Sequence, residues 1–423
     1  MSAVGPTPEP AWLTSTREAA RARFAEVGLP STRLESWRWS STRRLADVDF
    51  EPATGHAADG VEAFIEDSRI GEASHEHVFL AGRHLPELAR RREVSGLTVL
   101  PLREALADDR LRETLGGLAA WQDPADAFTA LNLAGLQDGL VVHVARGASG
   151  GLVHLVHVAE GATGPTSAHV RLLVVAEATA ELTVAETWLG HGGQTLTTHV
   201  AEVWLAPGAR VTHAVLGEEP AGSHLVHTLR ARLDRDAAYH GHLTWLGGGW
   251  VRSDVDLVCA GSGAEAVLDG ALVLGGEAHV DSHTRLEHAV PHTASREAYE
   301  AVLGGKARGI FDGLVVVQPD AQQTDARQSS RNLLVSADAT ANAKPTLEIY
   351  ADDVKCAHGT TVGQLDPDQL GYLRSRGIPR ATARQLLTGA FVAERVAHLP
   401  SAPLRDRLQA RVDGALARLQ EDA

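Results

Sequence analysis

The stretch that decides the fold runs from Arg171 to Ala264 and contains four similar units. They read RLLVVAEATAELTV at 171–184, VAEVWLAPGARVTH at 200–213, LRARLDRDA at 229–237 and VDLVCAGSGA at 255–264. In each, an apolar or alternating run meets a short break rich in Gly, Pro, Asp or Ala and closes on an alanine. The marker alanines Ala180, Ala209, Ala237 and Ala264 are spaced by 29, 28 and 27 residues. Alternation at period two is the signature of strands with one buried face. A fixed period of this length belongs to coils that stack and bury each other's apolar edges. The pattern predicts a β-solenoid, although a β-sandwich of regular hairpins would give a similar spacing.

Outward from this core the texture changes. Upstream, Ala20, Phe24 and Val27 sit at helical spacing, which predicts a helix from about Trp12 to Val27 behind a Pro-containing arm. A polar and aromatic segment, Leu29 to Trp39, follows with two close tryptophans. Helical signals recur around Leu102–Leu115, and Asp123-Pro124-Ala125-Asp126 reads as a cap and first turn leading into Phe128–Leu133. Downstream the repeat fades after Tyr350. Asp366-Pro367 supplies an N-cap with Pro at the first helical position, opening a helix through Leu370 and Leu373. Pro379 opens another, with Leu386, Leu387, Ala390 and Phe391 on one side, and a last helix from Pro403 carries Leu404, Leu408, Val412, Ala415 and Leu419 on one stripe. The expected division is a mostly helical region at 1–139, a solenoid core at 140–363 and a helical region at 364–423.

Composition narrows the class. With 39 Lys+Arg against 54 Asp+Glu the net charge is −15, which argues against binding nucleic acid or an anionic membrane. No apolar run approaches the roughly 20 residues of a membrane helix. Two cysteines, Cys259 and Cys356, allow no disulfide framework. The first residues lack the basic and apolar regions of a secretory signal. A soluble, cytoplasmic protein is expected.

Chemistry is sparse. There is no phosphate-binding P-loop, no Gly-x-Ser-x-Gly elbow and no His-Glu-x-x-His, and the glycines at 247–249 read as a turn. His279, His283, His288 and His292 recur at steps of 4, 5 and 4 near Asp281 and Glu287, without a zinc-site spacing. Cys259 sits in an apolar run and reads as a buried, inert thiol. Cys356 and His358 lie two apart, so in an extended strand both project from one face. A thiolate beside an imidazole suits iron or zinc, and the same pair would also make an activated nucleophile. Lys355 beside the cysteine would lower the thiol pKa if its charge reached it, but side chains at i and i+1 point apart in a strand. Two ligands alone do not complete a metal site.

The sequence around that pair is more specific. TLEIYADDVKCAHGTTVG at 346–363 resembles the SufB/SufD family, on its SufD side. So do QQTDA at 322–326, SRNLLVS at 330–336 and DQLGYLRSRGI at 368–378, with ALN at 130–132, Asp138-Gly139 and ESWRW at 35–39 in support. The resemblance implies a mainly β fold, a right-handed parallel β-helix with α-helical N-terminal and C-terminal parts. It implies a non-catalytic scaffold for iron–sulfur cluster assembly that pairs with a SufB-type subunit, with sulfur arriving through that partner. It also implies a SufC-type ABC ATPase bound by the C-terminal helices, where Leu370, Leu373, Leu386, Leu387 and Phe391 are the candidate contacts. Cys356 and His358 become candidate ligands of a transient cluster shared with the partner, with none tightly bound to the isolated chain, which is itself able to form a homodimer. The alternatives from other classes are a β-helix carbohydrate-active enzyme and a metal-free solenoid adaptor.

Overall fold

The computed structural model describes residues 11–53, 61–105 and 126–421. The arm at 1–10, the second half of the helical signal at 106–115 and Asp123 to Ala125 lie outside the described residues. The chain is mainly β, a parallel solenoid of about 8 turns with helices towards its termini.

Each coil contributes one strand to each of two facing parallel sheets. One sheet stacks Arg210–Gly217, Ala238–Trp245, Glu265–Leu274, Ala294–Leu303, Asp325–Leu334 and Lys355–Gln364 in that order. The other stacks Ser223–Leu233, Trp250–Cys259, His279–His288, Arg308–Val317 and Thr340–Ile349. Two long strands, Ser149–Ala176 and Glu181–Leu205, bend through both sheets and start the stack. Val, Leu and Ala fill the interior, with Trp188, Trp245 and Tyr239 among its largest buried side chains.

The marker alanines build one corner of every coil. The N–H after each marker donates to the carbonyl of the marker one coil earlier: Arg210 to Ala180 at 2.8 Å, Ala238 to Ala209 at 2.9 Å, and Glu265 to Ala237 at 2.9 Å. Asp325 to Thr293 and Lys355 to Thr324 continue this ladder past the four units seen in sequence, with threonine in place of alanine. The residue before each marker takes a left-handed backbone: Thr179, Gly208, Asp236, Gly263, His292 and Gln323 have φ between 57° and 79°. That twist turns the chain sharply and aims the marker inward, where all four alanines are fully buried.

Two straps run along the solenoid in opposite directions. The helix Ala11–Val27 packs Leu13 and Ala20 with Leu133 and Leu173 beside the first coils. The segment after it crosses the second sheet. Trp37 stacks on Phe128 at 5.4 Å and Trp250 at 6.3 Å, Ser40 bonds His279 and Asp281, and Glu35 reaches Lys344 at 3.2 Å. The C-terminal helices return over the first sheet. Arg380–Ala397 and Ala402–Glu421 bury Val392, Val396, Leu404, Leu408, Val412 and Leu419 against Leu216, Leu246, Val273 and Val302. The stripe on the last helix is therefore a packing face. Arg407 donates to the Asp67 carbonyl at 2.8 Å and Arg411 pairs with the Asp67 carboxylate at 2.8 Å, beside the first coils.

Candidate functional site

The last coil is open. Lys355–Gln364 pairs only with Asp325–Leu334, and Thr340–Ile349 with Arg308–Val317, so among the described residues no strand covers either outer edge. Pro345 sits within that edge strand, the place in a sheet where a missing N–H is tolerated.

Register settles which side chains face the lumen. In Asp325–Leu334 the alternating buried residues are Ala326, Gln328, Ser330 and Asn332, with Leu333 buried separately among the C-terminal helices, and the alternating set lies beside Cys356, His358, Thr360 and Val362. Those four therefore occupy the inward face of the final rung, in a mouth that no strand among the described residues caps. Cys356 is half-buried against the apolar interior, whereas His358 is exposed and Val362 is 51% exposed. The structure thus brings Cys356 and His358 to one face, as the spacing requires.

Beneath them lies a polar floor that local motif reading missed. Gln328 is one coil under His358 and donates to Glu297 Oε2 at 2.7 Å, one coil further in. Burial pushes the Glu297 carboxyl up to about 7. Asn332 bonds Ser330 and the Thr361 carbonyl, at 3.1 Å each. The signal that finds these residues is the coil period: Gln328 and Asn332 lie about one period upstream of the site and Glu297 about two. Burial also pushes the Cys356 thiol up, with Asp325 adding to it against a backbone hydrogen bond from Ala326. This is the opposite of the activation that a nearby Lys355 charge would give, and the thiol stays protonated at neutral pH without a metal.

The other candidates separate. Cys259 is fully buried and its thiol is pushed up to about 12 by burial. His279, Asp281 and His283 share the outer face of their strand, with His283 Nε2 3.0 Å from Asp281, which also pairs with Arg252 at 3.0 Å. His288 faces inward onto Thr293 and Ser295, and His292 lies in a turn, so the four histidines do not converge. Leu370, Leu373, Leu387 and Phe391 are half-buried and Leu386 is 52% exposed. The helix Pro367–Ser375, capped by Asp366, buries none of its residues.

Against this geometry the comparisons with known proteins are consistent along the chain. The SufBD core domain of the SUF system for FeS cluster assembly matches residues 157–391, and the SufBD N-terminal region matches residues 7–150. The chain belongs to the SufBD family of iron–sulfur cluster assembly proteins. It is 30% identical to the iron–sulfur cluster assembly protein SufD of Escherichia coli over 404 residues, covering 92% of this chain and 90% of the relative. A SufBD family protein of Synechocystis is 29% identical over 94% of this chain and 90% of its own length. The SufD of Bacillus subtilis is 25% identical over 95% and 93%. No helix among the described residues is long and apolar enough to cross a membrane.

Proposed function

We propose that this SufD-like chain is a non-catalytic scaffold subunit of a SufBCD-type complex in the cytosol, and that it builds clusters jointly with a SufB-type partner. The observation that carries the reading is the uncapped final coil with Cys356 and His358 facing into its mouth. Two edges of exposed backbone are a template for strand addition, and a second solenoid stacked end to end would cover both. The same edges allow the isolated chain to pair with itself.

Iron and sulfide are the cargo of such a site. One thiolate and one imidazole leave coordination positions for the partner's ligands. Because burial holds Cys356 protonated, the thiol would lose its proton as iron binds, which couples loading to pH. The SufC-type ATPase would dock on the helices at 367–397, where Leu370, Leu373, Leu386, Leu387 and Phe391 leave apolar surface beside exposed Tyr372. This assigns the work of the complex to three parts, at 1–139, 140–363 and 364–423.

The test is anaerobic reconstitution of the complex with SufB-type and SufC-type partners, followed by iron, sulfide and the visible absorption of the cluster. Cys356→Ser and His358→Ala should each lower cluster yield while the complex stays intact by size-exclusion chromatography. Unchanged yield in both variants would refute the ligand role. A chain that captures no ATPase, with Leu386→Asp behaving like the wild type, would refute the docking role.

A further inference from the structure

A second polar cluster lies in the lumen of the early coils, far from Cys356 in the chain and unused by the reading above. Glu186 points inward from the strand Glu181–Leu205 and is 1% exposed. Its Oε2 is met by His157 Nε2 at 3.1 Å and by His199 Nε2 at 3.2 Å. Its Oε1 is met by His213 Nε2 at 2.8 Å, and the Tyr239 hydroxyl lies 3.2 Å from His213 Nδ1. Tyr239 donating to Nδ1 leaves the proton of His213 on Nε2, which donates to Oε1. The carboxylate is thereby turned so that Oε2 faces the other two imidazoles. Trp188 stacks on His157 with ring centres 3.8 Å apart and planes 5° from parallel, fixing that ring as well.

We propose that His157, Glu186 and His199 form a binding site for a divalent transition-metal ion inside the solenoid. One donor atom of each lies within 4.8 Å of the others, so all three can reach a single ion. His199 supplies a second, independent sign. The residue is fully buried and neither ring nitrogen makes a hydrogen bond, although Nε2 sits close to Glu186 Oε2. A neutral imidazole buried this way leaves one donor and one acceptor unsatisfied, and a shared ion would satisfy the acceptor.

The donor set selects the ion. Two imidazoles and a carboxylate suit ferrous iron or zinc, with a position left for a further ligand. Calcium and magnesium favour all-oxygen shells. His213 and Tyr239 are positioning residues: His213 holds the carboxylate and Tyr239 holds His213, and neither touches the ion. His157 comes from one coil and Glu186 and His199 from the two halves of the next, with no local motif, and the ion would be enclosed as the coils close during folding. The site is separate from the proposed cluster site and stands whether or not Cys356 and His358 bind iron.

The experiment uses the full-length chain without a polyhistidine tag, produced or refolded with zinc, anaerobic ferrous iron or cobalt, then dialysed and submitted to elemental analysis. The wild type should retain roughly one ion per chain. The cobalt form should show ligand-field bands without thiolate charge transfer. His199→Gln and Glu186→Gln, checked for folding by circular dichroism, should lower retention by about tenfold or more, and Tyr239→Phe by less. Cys356→Ser and His358→Ala should change nothing. Retention of none of the three ions by folded wild type would overturn the proposal. So would retention lost with Cys356→Ser and kept with His199→Gln. If the His199 and Glu186 variants do not fold, the wild-type cobalt spectrum decides: ligand-field bands without thiolate character support the site, and thiolate charge transfer or no spectrum overturns it.

Discussion

Single residues in this chain are held by the coils they join. Asn132 lies off the solenoid, yet its amide donates to the Val170 and Thr198 carbonyls at 3.1 and 3.0 Å and its oxygen accepts from Arg171 at 2.8 Å. Asn132→Ala leaves buried partners without a bond and should cost about 3 kcal/mol, read as a lower urea midpoint. Thr179 gives a prediction of the opposite sign. It sits at φ 58° with a branched Cβ, where Gly208 and Gly263 serve the equivalent turns. Thr179→Gly should raise stability by about 1 kcal/mol, and a lower midpoint would show that its hydroxyl contact matters more than its backbone. The Cys356 and His358 pair was legible in sequence because two-residue spacing fixes a strand face. Gln328 and Glu297 were not, because their link to His358 exists only once the coil length is known.

At the level of elements, the alanine spacing reported the corner of each coil before any strand was placed. It stopped at Ala264 because Thr293 and Thr324 hold the next corners, and threonine fits there without preserving the pattern. Ala237→Leu, at a fully buried corner, should cost about 1–3 kcal/mol through overpacking, with the denaturant slope unchanged. The docking of the C-terminal helices depends on a buried charge. Arg395 pairs with Asp269 at 2.7 Å and lies 3.6 Å from Glu300, and its carbonyl accepts from His242 at 2.9 Å. Arg395→Met removes the cation between the two buried carboxylates, leaving Asp269 to His240 and Glu300 to Arg331, and should cost up to about 3–5 kcal/mol. Hydrogen exchange should quicken in Arg380–Ala397 well before it does in the coils. Uniform quickening would mean that the helix and solenoid open as one unit. Sequence periodicity showed the apolar stripe of the last helix, but not which of core or partner it met, because an amphipathic face looks the same in both cases.

The whole molecule carries an unusual load of buried histidine. Burial pushes His77 down to about 3, and His169, His227, His242, His279 and His288 down to about 4. Unfolding restores an ordinary value near 6.5. Folded values below unfolded ones mean stability that is present above about pH 6.5 and lost as pH falls towards 4, about 1.4 kcal/mol per unit for each fully engaged group. Two buried carboxyls act oppositely: Glu297 at about 7 and Glu219 at about 8 are lost as stabilising groups when pH rises. Six histidines against two acids predict a maximum near pH 6.5–7, with a steep fall on the acid side and a shallow one on the alkaline side. Urea midpoints from pH 4.5 to 8.5 check this, and a flat acid limb would show that these imidazoles are solvated in the folded chain. The two straps bear on a different question, how such a molecule can change over time. A bare stack gains or loses a coil at little penalty, since each coil meets only its neighbours. Here Glu35 reaches Lys344 near one end, and Arg411 reaches Asp67 near the other. Duplicating or deleting a single coil would pull both contacts out of reach together, so the straps act as rulers that hold the number of turns constant while the sequence of each turn drifts.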